Sequence, residues 1–228
     1  MFYRKKYKKY ARIQLKNRLL IPALAALIYC FIYGTIQAPE IYNLITRKTD
    51  FATSEGSGFL MEVCSIIEAC ILFIAAFAQL NLHLKMSRSP EKVHFSDLLE
   101  GYSYWCRAIL CGLWEALWTF LWTLLFIIPG LIKHYSYSMT KFLALEYPKI
   151  SVGKALKISM IITRGHKADI FVTDLSFIGW TLLSFATGGI LFLWTIPYYI
   201  MTMTNIYHAL LTEAIETHRI KPEDLLED

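Results

Sequence analysis

Four stretches of this chain, at 19–38, 59–84, 108–128 and 170–196, run mostly apolar for 20 residues or more. About 18 such residues in a row make a helix long enough to cross the hydrocarbon core of a bilayer. Inside lipid a backbone must satisfy its own hydrogen bonds, which leaves only helices and closed barrels. The runs here are continuous and do not alternate, so the sequence predicts an all-α membrane protein. Composition agrees: 56% of the 228 residues are hydrophobic and the mean hydropathy is +0.42, against roughly 45–50% apolar usage in soluble domains. The apolar run after Arg18 exceeds a signal-peptide core of about 7–15 residues and carries no A-x-A-like site, so it is expected to remain as the first span.

Charge sets the expected topology. The opening segment, 1–18, holds Arg4, Lys5, Lys6, Lys8, Lys9, Arg12, Lys16 and Arg18 and no acid. Because it abuts a span, it reads as an inside, membrane-surface helix, and no nucleic-acid partner is expected. The stretch from Lys149 to Lys167 is equally basic, so the chain must recross between Leu131 and Tyr147. Six spans are expected, at about 19–37, 59–82, 108–128, 131–147, 170–193 and 198–215, with Pro129-Gly130 breaking the third from the fourth and a turn around Thr195 to Pro197 before the sixth. This arrangement puts 19 of the 23 Lys and Arg inside, leaving Arg47 and Lys48 in an outside loop at 39–58 and Lys133 and Lys141 in the fourth span. Both ends, including an acidic tail at 216–228, then face the cytoplasm. Amphipathic stretches at 1–18, 93–104 and 151–166 precede the three helix pairs, a pattern of three repeated units each built from an interfacial helix and a hairpin.

Ionisable groups within spans are candidates for function. Glu68 and Glu115 fall near mid-depth, and Asp174 lies in the fifth span. About Pro129, Glu115 is 14 residues before the break and Lys141 is 12 after it, which predicts a depth-matched ion pair. Lys133, Ser136, Tyr137, Thr140 and Lys141 share one helix face. Such a stripe either bonds helices together or lines a polar cavity with the three carboxylates. Lys5, Lys6, Lys8, Lys9, Arg164, His166 and Lys167 are candidate contacts to anionic lipid headgroups. Trp114, Trp118 and Trp122 form an aromatic stripe for lipid or packing, and Ser184 with Gly188 suggests a close helix contact. The five cysteines read as small buried apolar residues, with no disulfide framework, and neither a metal site nor a cofactor is expected. No H-E-x-x-H, G-x-S-x-G or phosphate-binding loop occurs.

The runs LLFIIPGLIKHYSYSMT, GKALKIS, TRGHK, LSFIGW and WTIPYY, in this order, resemble the bacterial integral-membrane family known as domain of unknown function 975. The resemblance covers about residues 10–215. It implies a multi-pass protein of the bacterial cytoplasmic (inner) membrane, without an assigned activity, and puts motif positions at residues such as Pro129, Gly130, Tyr135, His166, Asp174 and Tyr198. Two functions stay open. One is a non-catalytic membrane interaction or assembly module, partnered by the lipid bilayer, a second membrane protein or further copies of the chain. The alternative is a small transporter or lipid-handling protein that uses the buried carboxylates and the polar stripe.

Overall fold

The structure, a computed structural model, describes residues 2–46, 55–91 and 93–226, with side chains at 2–35, 63–64, 66–91 and 93–226. All regular elements among these residues are helices. The first half runs α1 (Arg4–Leu15), α2 (Leu20–Thr46), α3 (Glu55–Arg88), α4 (Phe95–Tyr102) and α5 (Trp105–Leu125). The second half runs α6 (Ile127–Tyr137), α7 (Thr140–Glu146), α8 (Val152–Ile162), α9 (Lys167–Leu175), α10 (Ile178–Ala186) and α11 (Phe192–Glu216), with a final 3-10 turn at Pro222–Leu225. Of the loop expected at 39–58, residues 47–54 lie outside the described residues and the remainder extends α2 and α3.

Three segments are long and apolar enough to cross a membrane, Ile66–Arg88, Trp105–Leu125 and Lys167–Ala186, and the pair α1–α2, bent by 102°, makes a possible fourth. Six were expected. The shortfall among the described residues has two physical sources. The expected fourth span is split into α6 and α7, and α11, though long enough, is rich in Thr and Tyr. α11 sits at the centre of the bundle, with Tyr198, Met201, Ile206 and Tyr207 fully buried. A helix sheathed by other helices need not present an apolar surface to lipid.

Pro129-Gly130 does not end α5, as the sequence had suggested. α5 stops at Phe126, whose φ of −158° and ψ of 142° are extended, and α6 begins at the next residue. Pro129 then occupies the first turn of α6, where its missing N–H removes no helical bond. Gly130 has a separate purpose. A Cβ there would lie 2.8 Å from Thr123 Cα, so the hydrogen side chain is what lets α6 fold back onto α5.

The break between α6 and α7 at Ser138–Met139 is stitched by α8. Ser159 Oγ accepts from the Met139 N–H at 3.2 Å and donates to the Ser136 carbonyl at 2.8 Å. Backbone groups freed by a broken helix must find such partners when buried. α8 was expected as an interfacial helix, but Ala155, Leu156, Ile158 and Ile162 bury it in the core. α4 stays on the surface with only Leu98 and Gly101 turned in, whereas α1 packs on α11. The three lead helices are thus packed in three different ways.

The fifth expected span is also interrupted, between α9 and α10. The turn before α11 falls at 187–191, where Gly188 and Gly189 take φ of 64° and 90°, a left-handed conformation that costs glycine nothing. Thr195 and Pro197 lie inside α11 and make no turn. Gly188 therefore shares no helix face with Ser184, whose hydroxyl meets Thr195 Oγ1 at 3.2 Å. The tail is not free: Ile220 and Leu225 are buried against the main core. Of the five cysteines, all free, Cys111 alone is buried, and Cys64 and Cys106 are exposed.

Arg107 organises the end of α7. Its guanidinium donates to the carbonyls of Ala144 (2.7 Å), Pro148 (2.9 Å), Tyr147 (3.2 Å) and Ile150 (2.5 Å), satisfying acceptors that a helix C-terminus leaves open. Arg107→Ala is expected to destabilise the protein by about 2 kcal/mol, the range for hydrogen bonds to a charged group. Thermal unfolding of the variant in lipid nanodiscs measures this, and an unchanged midpoint would show the carbonyls are equally well served by water.

α4 starts on a similar device. Asp97 accepts from the His94 N–H at 2.7 Å and faces Lys85 at 3.3 Å. These contacts, the backbone bond first, hold the Asp97 carboxyl below its ordinary 3.8. A depressed folded pKa contributes stability that is full above the ordinary value and lost as pH falls through the lower folded one. Amide protection factors in α4, taken relative to the intrinsic rate at each pH, are expected to stay high at neutral pH and fall only below about pH 4, and Asp97→Ala should cost about 1 kcal/mol at pH 7. Low protection already at pH 7 in the wild type would contradict this.

Candidate ligand cleft

α2, α3, α6, α7, α9 and α11 enclose a cleft of about 420 Å³, a size typical of small-molecule sites. Its floor is apolar, with Leu80, Phe142, Ile196, Ile200 and Met203. Its polar groups arrive from six helices, with Tyr29 from α2 among them. Asp174, near the end of α9, accepts a hydrogen bond from Tyr199 of α11 at 3.1 Å, and Tyr135 of α6 is a second phenol directed at the same carboxylate. The Tyr135 ring is held edge-on to Phe171 with centroids 5.7 Å apart. Gln79 of α3 lines the cleft with its amide anchored on the Ala25 carbonyl at 3.0 Å. Lys141 of α7 completes the wall, its Nζ 3.2 Å from the Glu115 carboxylate of α5.

That last contact is the ion pair predicted by depth. The rest of the expected network is dispersed. Lys133 lies over the Trp122 ring, 4.6 Å from its centroid, with Met160 Sδ at 3.8 Å. Ser136, Tyr137 and Thr140 are buried away from the cleft. Glu68, half-buried on α3, has no hydrogen-bond or ion-pair partner among the described residues and does not line the cleft. Of the expected set, the cleft therefore gathers only Asp174 and Lys141, with Glu115 behind it.

The headgroup candidates also divide. Lys5, Lys6 and Lys9 are exposed, but Lys8 is packed 4.0 Å from the Phe177 ring. α1 is pinned through Arg12 Nε, which donates to Tyr198 Oη at 3.1 Å, and through Gln14, which accepts from Asn205 at 2.7 Å. Arg164 is exposed and Lys167 half-buried. His166 is engaged by Glu213 at 3.0 Å and Asp169 at 3.5 Å and stacks on Phe2. Among the described residues no three of His, Cys, Asp and Glu converge as a metal site would require.

Tyr199, Tyr135, His134 and Gln79 were not singled out as a site in the sequence. No depth count joins Asp174 to Tyr199: from the middle of the turn at 187–191 the first lies 15 residues before and the second 10 after.

No curated protein and no solved structure matches the chain. Residues 124–214 match the model of a family described as a protein of unknown function, DUF975, so the resemblance to that family holds across the segment that contributes Tyr135, Lys141, Asp174 and Tyr199 to the cleft.

Proposed function

We propose that this chain is a multi-pass membrane protein that takes up a small amphipathic ligand in the cleft, as a transport or lipid-handling protein without catalysis of its own. The observation that carries this reading is the cleft itself, an apolar floor of pocket size with a few convergent polar groups, Asp174, Tyr199, Tyr135 and Lys141. Such a combination is the usual form of a binding site. The basic N-terminal segment and the 19 of 23 Lys and Arg in the segments expected inside support an orientation with both termini in the cytoplasm of a bacterial cell. α6–α7 and α11 complete six crossings as inner helices, covered from lipid by the apolar ones.

The test is the occupancy of the cleft. Protein released in gentle detergent is expected to retain one small molecule or lipid per chain by native mass spectrometry. Ile200→Trp, which fills the floor, is expected to reduce that occupancy at least tenfold while the protein remains folded. Equal retention by both proteins would exclude the cleft as the site. A second reading, a membrane interaction and assembly module, is favoured by one observation, the row of exposed cations Lys5, Lys6 and Lys9 on an otherwise docked α1. Changing all three to Gln is then expected to lower the number of anionic phospholipids, or the partner chain, that co-purify with the protein.

A further inference from the structure

We infer that the ligand of the cleft is a lipophilic organic cation; this rests on the reading of the cleft as a binding site. Asp174 is the single carboxylate among the described lining residues. The lysine in the wall does not offset it, because Lys141 is matched at 3.2 Å by Glu115 from behind. His134 stands at the exposed rim and carries charge only when protonated. Tyr199 donates a hydrogen bond to Asp174, which eases the cost of a carboxylate in a low-dielectric site but leaves its charge unmatched. Charges buried within a membrane bundle are paired or meet a ligand.

The remaining wall suits a cation with apolar substituents. Tyr29, Tyr135, Phe142 and Tyr199 are among the residues lining the cleft, and aromatic rings attract ammonium groups most strongly where water is excluded. An anionic headgroup would meet Asp174 with no free lysine to balance it. A neutral apolar molecule would leave the charge of the carboxylate unmatched.

The experiment compares two probes of the same shape, phenyltrimethylammonium and its uncharged isostere tert-butylbenzene, bound to the full chain in lipid nanodiscs and read by intrinsic tryptophan fluorescence. The cation is expected to bind at least tenfold more tightly than the isostere. Asp174→Asn is expected to remove that preference while isostere binding stays unchanged. Should Asp174→Asn fail to fold, Tyr135→Leu keeps the carboxylate, removes one ring, and is expected to weaken the cation several-fold with little effect on the isostere. Equal binding of both probes, insensitive to these variants but abolished by Ile200→Trp, would overturn the cation assignment and leave the cleft a binding site. Absence of binding by either probe, together with equal ligand retention in wild type and Ile200→Trp, would remove both.

Discussion

Gly130→Val is expected to lower the unfolding midpoint by about 6–12 °C, corresponding to a loss of roughly 3 kcal/mol for a chain of this size. The residue is buried where α6 turns back on α5, and a Cβ would meet the Thr123 backbone at 2.8 Å. A flexible side chain could move aside, but a backbone atom in the last turns of a helix cannot, so the hairpin must open. Opening displaces everything set by its closure, including Lys133 over Trp122 and Lys141 against Glu115. Overpacking a rigid contact of this kind usually costs about 1–3 kcal/mol, and the dependent contacts bring the expected value to the top of that range. Gly179→Ala is the control, since a Cβ at that position on α10 meets nothing within 4 Å. It should be neutral or slightly stabilising by the reduced freedom of the unfolded chain. A midpoint for Gly130→Val equal to that of Gly179→Ala would mean the hairpin is looser than its geometry shows.

Which features could be seen in the sequence depends on what fixes them. The helical class follows from run length alone. The Glu115–Lys141 pair follows from the constant rise of a helix counted from a turn; moving the break from Pro129 to Phe126 changes the counts from 14 and 12 to 11 and 15, a mismatch of about 6 Å that the long lysine side chain spans. Asp174 with Tyr199 does not follow from such a count, and the turn between their helices was hidden, since proline at 197 advertises a turn more loudly than Gly188 and Gly189 do. Pro197 is accommodated inside α11, and the two glycines take the left-handed turn. The burial of α8 was illegible for a different reason. Its lysines, Lys154 and Lys157, mark it as inside-facing, but its core face is defined by the gap at Ser138–Met139, and nothing local to α8 announces that gap.

The same reasoning explains why a single stripe of polar residues did not become a single site. A straight helix over 131–147 would have kept Lys133, Ser136, Tyr137, Thr140 and Lys141 on one face. Breaking it after Tyr137 sends Lys133 towards α5, buries Ser136 and Thr140 against neighbouring helices, and leaves only Lys141 beside the cleft. The cleft is then built from groups contributed by separate helices, which no one-dimensional pattern displays.

Glu115→Gln is the variant expected to affect both stability and ligand preference. Its carboxylate is 12% exposed and stands 3.2 Å from Lys141, which is 34% exposed; within a bilayer much of that exposure faces lipid or the cleft. Removing one partner of a desolvated pair leaves an uncompensated charge, a change that costs about 3–5 kcal/mol when burial is complete. Partial exposure and the ability of lysine to reach the interface reduce this to about 3 kcal/mol. Replacing both, as Glu115→Gln with Lys141→Met, should recover most of the loss, because a neutral pair of similar volume carries a much smaller desolvation penalty than a lone buried charge. The double-mutant cycle on unfolding midpoints therefore isolates the pair. Ligand binding gives the second readout. With Glu115 neutral, the Lys141 charge is free to balance Asp174 across the cleft, so the folded fraction of Glu115→Gln should lose its preference for phenyltrimethylammonium over tert-butylbenzene, and the double variant should regain it. A Glu115→Gln protein as stable as wild type, with the cation preference intact, would show that Glu115 does not set the charge of the cleft.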